Sequence, residues 1–191
     1  MQKIKKKNLL ILILVISLMF NFYSYYNHYF YINQQQSQNQ SDLSTISVIG
    51  KNLAERLEEF LSYSHESDKK ELFNAWRIVI GENHSIHFTL AGISPHSMKE
   101  QKSEWELLQY SLLRIDGFLN SLNNKFLEQG SYALNKEEIE QLKAVSTIYK
   151  RIYEEVKKES DNPALIIDSL SKEMMIIDPY YSGTLEMINK E

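Results

Sequence analysis

A basic and then apolar segment at the start of the sequence constrains the fold more than any other feature. Four lysines lie within residues 1–7, and an uncharged stretch then runs from residue 8 to residue 41, opening with the largely aliphatic run Leu9–Phe20. A helix needs about 20 apolar residues in series to cross roughly 30 Å of hydrocarbon. Residues 8–32 supply that length, which predicts a transmembrane signal anchor there.

Charge and aromatic residues predict the orientation of this anchor. The lysine cluster precedes the span and no lysine or arginine follows it until Lys51, so the positive-inside rule places residues 1–7 in the cytoplasm as a basic tail. Five tyrosines beyond the apolar run form an aromatic belt suited to the outer headgroup layer: Tyr23, Tyr25, Tyr26, Tyr29 and Tyr31. We therefore expect a single-pass protein of the cell membrane that contacts lipid through residues 8–32 and holds its C-terminal domain outside the cytoplasm.

A cleaved secretory signal is the alternative interpretation, because it shares the basic and apolar pattern. Its cleavage site requires small residues, whereas the candidate end at Phe22 and Tyr23 carries bulky aromatic side chains. The sequence is compatible with removal of this segment in a fraction of the molecules. The chain contains no cysteine, which excludes a lipoprotein anchor, disulfides and thiolate chemistry.

Residues 33–41 consist only of asparagine, glutamine and serine, which predicts a polar tether between anchor and domain. Glutamine is compatible with helix, so the alternative is that the anchor helix continues through this segment. The remaining residues, 42–191, are long enough to form one extracytoplasmic domain with its own core.

Apolar residues at helical spacing predict that residues 42–191 form an all-α bundle of about four to five helices. We expect five helices, which begin near Ser41, after Ser67, at Ser94 with Pro95, at Asn135 with Glu138, and at Asn162 with Pro163. The first of these helices should end near Ser64 and the last should end at Asp178. The third helix is predicted to be central, because Leu107, Leu113 and Phe118 fall off its apolar seam, so more than one face should be covered. The seam consists of Met98, Trp105, Leu108, Leu112, Ile115, Leu119, Leu122 and Phe126. The second helix is expected to bury Leu72, Phe73, Trp76, Val79 and Ile80.

Residues 76–90 allow two interpretations. Ile86, Phe88 and Leu90 alternate with polar residues, which permits a small β-hairpin and hence an α+β fold. A helix would instead place five apolar residues on one face, and the neighbouring helices favour this interpretation. These residues are Leu72, Trp76, Val79, Ile86 and Leu90.

The exported part is acidic. Residues 41–191 hold 17 basic and 25 acidic residues, a net charge of −8, because four of the 21 basic residues lie before residue 41. Affinity for nucleic acid comes largely from lysine and arginine that neutralise phosphates. We therefore expect no nucleic acid among the partners.

Phosphate-binding glycine loops and the motifs HExxH and GxSxG are missing from the sequence, so we predict no cofactor and favour a non-enzymatic role. The one candidate metal site combines Glu82, His84, His87 and His96. His84 and His87 share a face if their segment is helical, a loop could return His96, and three imidazoles with a carboxylate suit zinc. A purely structural role around a helix break is the alternative.

Aromatic residues and one glycine are further candidates for special roles. Tyr180 and Tyr181 follow the last helix and are candidates for partner contact, because tyrosine is enriched at interfaces; the alternative is a lid on the end of the bundle. Trp76 and Trp105 lie on apolar stripes and are expected in the core. Gly117 lies inside a long helix, which predicts close approach of another backbone.

These features predict a membrane-anchored extracytoplasmic domain that acts by protein–protein contact, as an accessory or regulatory subunit of a bacterial envelope complex. An envelope protein is the expected partner, and the pattern also allows a homodimer. The alternative is a membrane-tethered metal-dependent hydrolase or metal sensor that uses Glu82, His84, His87 and His96.

Overall fold

The computed structural model describes residues 2–63, 69–98, 101–158 and 162–182. Within these ranges the protein contains five α-helices, one short 3₁₀ helix and no strand. The helices are α1 (Gln2–Ser62), α2 (Lys69–Leu90), α3 (Lys102–Gln129), α4 (Lys136–Lys157) and α5 (Pro163–Ile177), and the 3₁₀ helix spans Pro95–Ser97. The all-α prediction is confirmed.

The chain divides into two units, Met1–Ser37 and Gln38–Glu191. In the first unit the large apolar side chains that the structure describes, from Leu9 to Tyr31, are 44 to 75% exposed. Side chains of the basic tail, residues 1–7, and of Leu10 lie outside the described residues. Residues 33–41 are helical. This agrees with the alternative in which the preceding helix continues through the polar segment.

Among the residues that the structure describes, no helix has the length and apolar character required to cross a membrane.

The second unit is organised around α3, which packs against α2, α5 and the 3₁₀ helix. All eight residues of its predicted seam are buried, from Met98 to Phe126. The prediction of a central third helix is therefore confirmed. The C-terminal part of α1 adds Leu43, Ile46, Leu53, Leu57 and Phe60 to the same core.

Residues 76–90 are helical, and the hairpin alternative is wrong. In a hairpin Phe88 would share a face with Ile86 and Leu90, but those two are 2% exposed whereas Phe88 is 85% exposed. Such a difference requires the helical period. Phe73 is 48% exposed, so its predicted burial is also wrong.

Local capping signals place two of the helix starts correctly. Asn135 and Glu138 form a reciprocal capping box at α4, and the Asn162 side chain accepts the Ala164 N–H before Pro163 begins α5. The start predicted at Ser94 is wrong, because the 3₁₀ helix forms there and α3 begins at Lys102.

Both tryptophans are buried, as predicted, Trp76 at 2% exposure and Trp105 at 1%. The close approach predicted at Gly117 is wrong: a Cβ added there would meet no atom within 4 Å. The close approach is instead at Gly50, whose added Cβ would clash with the Tyr149 ring and lie 3.0 Å from its Cγ.

Candidate functional site

The predicted metal ligands lie on α2 and the 3₁₀ helix. His84 and His96 are exposed, and His87 Nδ1 lies 3.1 Å from Asp116 Oδ2 on α3. In the described part of the chain, no group of three or more His, Cys, Asp or Glu side chains is arranged to hold a metal ion. The structure therefore does not bring Glu82 and the three histidines together as a metal site.

Asp116 instead organises a polar cluster between α2 and α3. Asn83 Nδ2 donates to Asp116 Oδ1 at 2.7 Å, and Asn120 Nδ2 donates to the same oxygen at 3.0 Å. The Asp116 side chain is 15% exposed, so these bonds form in a partly dehydrated setting where they are stronger than in water. The cluster fixes the register of the two helices and gives His87 a structural partner.

A second polar cluster surrounds Asp178, the residue at which α5 ends. Its carboxylate is 1% exposed and accepts hydrogen bonds from the Tyr110 hydroxyl at 2.6 Å, Arg114 Nε at 3.0 Å and the Tyr180 backbone N–H at 3.1 Å. Burial raises the pKa of this carboxyl, but the hydrogen bonds and the Arg114 charge together lower the pKa of Asp178 below its ordinary value. From the sequence alone, Asp178 was recognised only as the residue that ends the last helix.

Tyr181 extends this cluster into the core. It is fully buried, and its hydroxyl lies 2.9 Å from Ser111 Oγ. Burial raises the pKa of Tyr181. The prediction of an exposed Tyr181 is thus wrong, because its ring closes the end of the bundle next to Tyr110. Tyr180 is 82% exposed, and its role in partner contact stays a prediction.

A third polar contact involves Asn39 on α1, which sequence reasoning missed. The side chain is fully buried; Oδ1 accepts the Ser94 N–H at 3.0 Å, and Nδ2 donates to the Ser94 carbonyl at 3.0 Å. One amide therefore bonds both backbone groups of Ser94, which lies in the segment between α2 and α3. A buried asparagine in a run of polar residues has no periodic signature that could have revealed it.

In all three clusters the polar side chains form hydrogen bonds with other residues of the second unit. Their carboxylates, Asp116 and Asp178, are held by hydrogen bonds, which favours positioning of helices over proton transfer. The other notable surface feature is exposed apolar area, with Phe88 at 85%, Tyr180 at 82% and Leu127 at 68% exposure.

Comparison of the chain with protein-family models, with curated proteins and with solved structures found no match.

Proposed function

We propose that the protein is anchored in the cell membrane by a single span at residues 8–32, with its N-terminus in the cytoplasm and residues 42–191 outside. The outer helical domain acts by protein–protein contact, as an accessory or regulatory subunit of an envelope complex.

One observation carries the anchoring: the exposure of apolar side chains in the first unit. Seventeen large apolar side chains between Leu9 and Tyr31 are exposed, and none of them belongs to the hydrophobic core. Burial of apolar surface contributes about 25 cal/mol per Å², so such a segment is strongly favoured in a lipid environment. The tyrosines at its far end suit the headgroup layer.

The contact role is supported by exposed aromatic side chains on the second unit. Phe88 and Tyr180 present most of their surface to solvent although the domain has a complete core of its own. Large exposed aromatic groups are typical of protein interfaces.

The topology can be tested by labelling single cysteines, because the natural chain has none. Intact cells that carry Ser44→Cys or Gln2→Cys are treated with a membrane-impermeant maleimide. We expect labelling of Ser44→Cys in intact cells and of Gln2→Cys only after permeabilisation, with both proteins retained in membranes at alkaline pH. Release at alkaline pH, or labelling of Gln2→Cys in intact cells, would contradict the proposal.

The contact role can be tested by crosslinking the intact protein in native membranes and identifying the crosslinked species by mass spectrometry. A specific envelope protein is the expected product. Recovery of uncrosslinked protein alone would contradict the contact role.

A further inference from the structure

We infer that two copies of this chain associate side by side in the membrane, and that they meet along one polar face of the first helix. The inference rests on the anchor proposed above and gives that anchor a partner within the membrane. We call this face the polar stripe and define it by Ser17, Asn21, Ser24 and His28.

The stripe follows from the helical period. Its four residues recur at intervals of four, three and four positions along α1. At 3.6 residues per turn they lie within about 60° of the helix circumference and along roughly 16 Å of the helix axis. The opposite side of the helix is apolar or aromatic over a similar length and carries Val15, Met19, Phe22, Tyr26 and Phe30.

The polar groups of the stripe are left unsatisfied by the part of the chain that the structure describes. All four side chains are exposed, and none has a hydrogen-bond partner among the described residues. Lipid hydrocarbon offers no such partner either, and a polar group without one is costly to place there. Serine, asparagine and histidine in membrane helices therefore face other helices and form hydrogen bonds with them. The stripe thus predicts a second helix beside the anchor.

The chemistry of the stripe favours a second copy of the chain as that helix. Hydroxyl, amide and uncharged imidazole groups each offer both a donor and an acceptor. Every copy enters the membrane in the same orientation, so a symmetric pair places each stripe residue beside its own equivalent. The two Asn21 amides can then exchange hydrogen bonds. A different protein would need its own polar stripe at the same depths, which a second copy already has.

The spacing and size of the stripe residues also fit a parallel helix pair. Alternating intervals of four and three residues produce the seam along which two helices of a left-handed pair meet. Ser17 and Ser24 are small, which lets the two backbones approach closely. One asparagine in an otherwise apolar seam can fix register and oligomeric state, and Asn21 lies between the two serines in this way.

The charges of the chain lie outside the stripe. Residues 8–41 contain no Asp, Glu, Lys or Arg. The net charge of −8 belongs to residues 41–191, and repulsion between two such domains acts through water, where salt screens it beyond about 8 Å. The lysines of the basic tail would lie at the cytoplasmic leaflet, whose anionic lipids offset their mutual repulsion.

Disulfide formation between single cysteines tests the pairing, because the natural chain contains no cysteine. Ser17→Cys and Ser24→Cys place a thiol on the stripe, whereas Phe22→Cys places one on the opposite side. The full-length proteins are oxidised in native membranes with copper phenanthroline, and monomer and dimer are separated without reductant. We expect at least about tenfold more dimer at positions 17 and 24 than at position 22, because the helical period turns position 22 away from the contact. Equal dimer at all three positions, or no dimer at positions 17 and 24, would overturn the inference.

Two asparagines of the same span provide matched variants in the Ser24→Cys background. Asn21→Leu removes an amide from the stripe, and Asn27→Leu removes one that lies about 90° away from it around the helix. Neither residue belongs to the hydrophobic core, and leucine makes the anchor more apolar, so neither unfolding nor loss from the membrane explains an effect. We expect about tenfold less dimer with Asn21→Leu and unchanged dimer with Asn27→Leu. Equal effects of the two substitutions would overturn the inference.

The outcomes distinguish this inference from the proposed function. Retention in membranes at alkaline pH without a dimer at positions 17 and 24 would keep the anchor and overturn the pairing. Release at alkaline pH would contradict both the anchor and pairing in the membrane. A dimer specific to the stripe, with no envelope protein among the crosslinked species, would support the pairing and contradict the role as an accessory subunit.

Discussion

At the scale of single residues, two glycines in helix interiors should respond in opposite ways to alanine. Gly50→Ala forces a Cβ into the Tyr149 ring, and overpacking of this kind costs about 1–3 kcal/mol of unfolding free energy. Gly117→Ala meets open space and should stabilise by up to about 1 kcal/mol. Chemical denaturation of the purified variants measures both. Equal shifts of the same sign would contradict the packing assigned to Gly50.

The Tyr149 hydroxyl provides a second prediction at this scale. It is buried and has no hydrogen-bond partner among the described residues, and burial together with the nearby Asp116 charge raises the pKa of Tyr149. An unsatisfied buried hydroxyl costs about 1–3 kcal/mol. Tyr149→Phe should therefore raise the unfolding free energy by about 1 kcal/mol, and Tyr153→Phe, at a half-buried position of the same helix, should leave it nearly unchanged. A loss of stability in Tyr149→Phe would show that the hydroxyl is satisfied.

At the scale of elements, the ends of helices depend on polar contacts between distant parts of the chain. Asn39→Ala removes the acceptor of the Ser94 N–H and one donor to the Ser94 carbonyl, which still accepts from the Ser97 hydroxyl at 2.7 Å. We expect a loss of about 1–3 kcal/mol of unfolding free energy, mainly from the N–H that is left without its acceptor. The neighbouring exposed residue gives a matched control, since Gln40→Ala should change stability by less than about 0.5 kcal/mol. Similar losses in the two variants would contradict the role assigned to Asn39.

The end of α5 should make stability depend on pH. Because the pKa of Asp178 is lower in the folded state, its contribution is fully present above the ordinary value of about 3.9 and is lost as the pH falls through the folded value. Asp178→Asn should cost about 1.5–3 kcal/mol at neutral pH, and the difference from the natural protein should shrink in acid. At neutral pH the exposed Asp168→Asn should change the unfolding free energy by less than about 0.5 kcal/mol. A pH-independent cost of Asp178→Asn would contradict the linkage.

These elements also show what the sequence could and could not predict. The seam of α3 and the caps at Asn135 and Asn162 are local patterns, spaced within one or two helical turns, so they can be recognised without the fold. The partners Asn39 and Ser94 lie 55 positions apart, and Tyr110 and Asp178 lie 68 apart. Nothing in either local sequence specifies such a pairing. For the same reason the close contact was predicted at Gly117 rather than at Gly50.

At the scale of the whole molecule, the helical domain should fold without the segment that precedes it. Among the residues whose side chains the structure describes, every member of the hydrophobic core lies at Leu43 or beyond, and the first buried polar residue is Asn39. A chain of residues 38–191 should therefore unfold cooperatively, with a Tm close to that of the full-length protein in detergent. Thermal unfolding followed by circular dichroism measures this.

A shorter chain tests whether the boundary at Gln38 is set by these contacts. Residues 44–191 lack Asn39, which holds the Ser94 segment, and Leu43, which is 1% exposed. Removing a buried leucine side chain costs about 2–5 kcal/mol, and the lost amide adds to it. At about 2–4 °C per kcal/mol for a domain of this size, the Tm should fall by at least roughly 6 °C relative to residues 38–191. Equal Tm values would show that the domain begins later than Asn39. Failure of both chains to unfold cooperatively would show that the preceding segment is part of the folding unit.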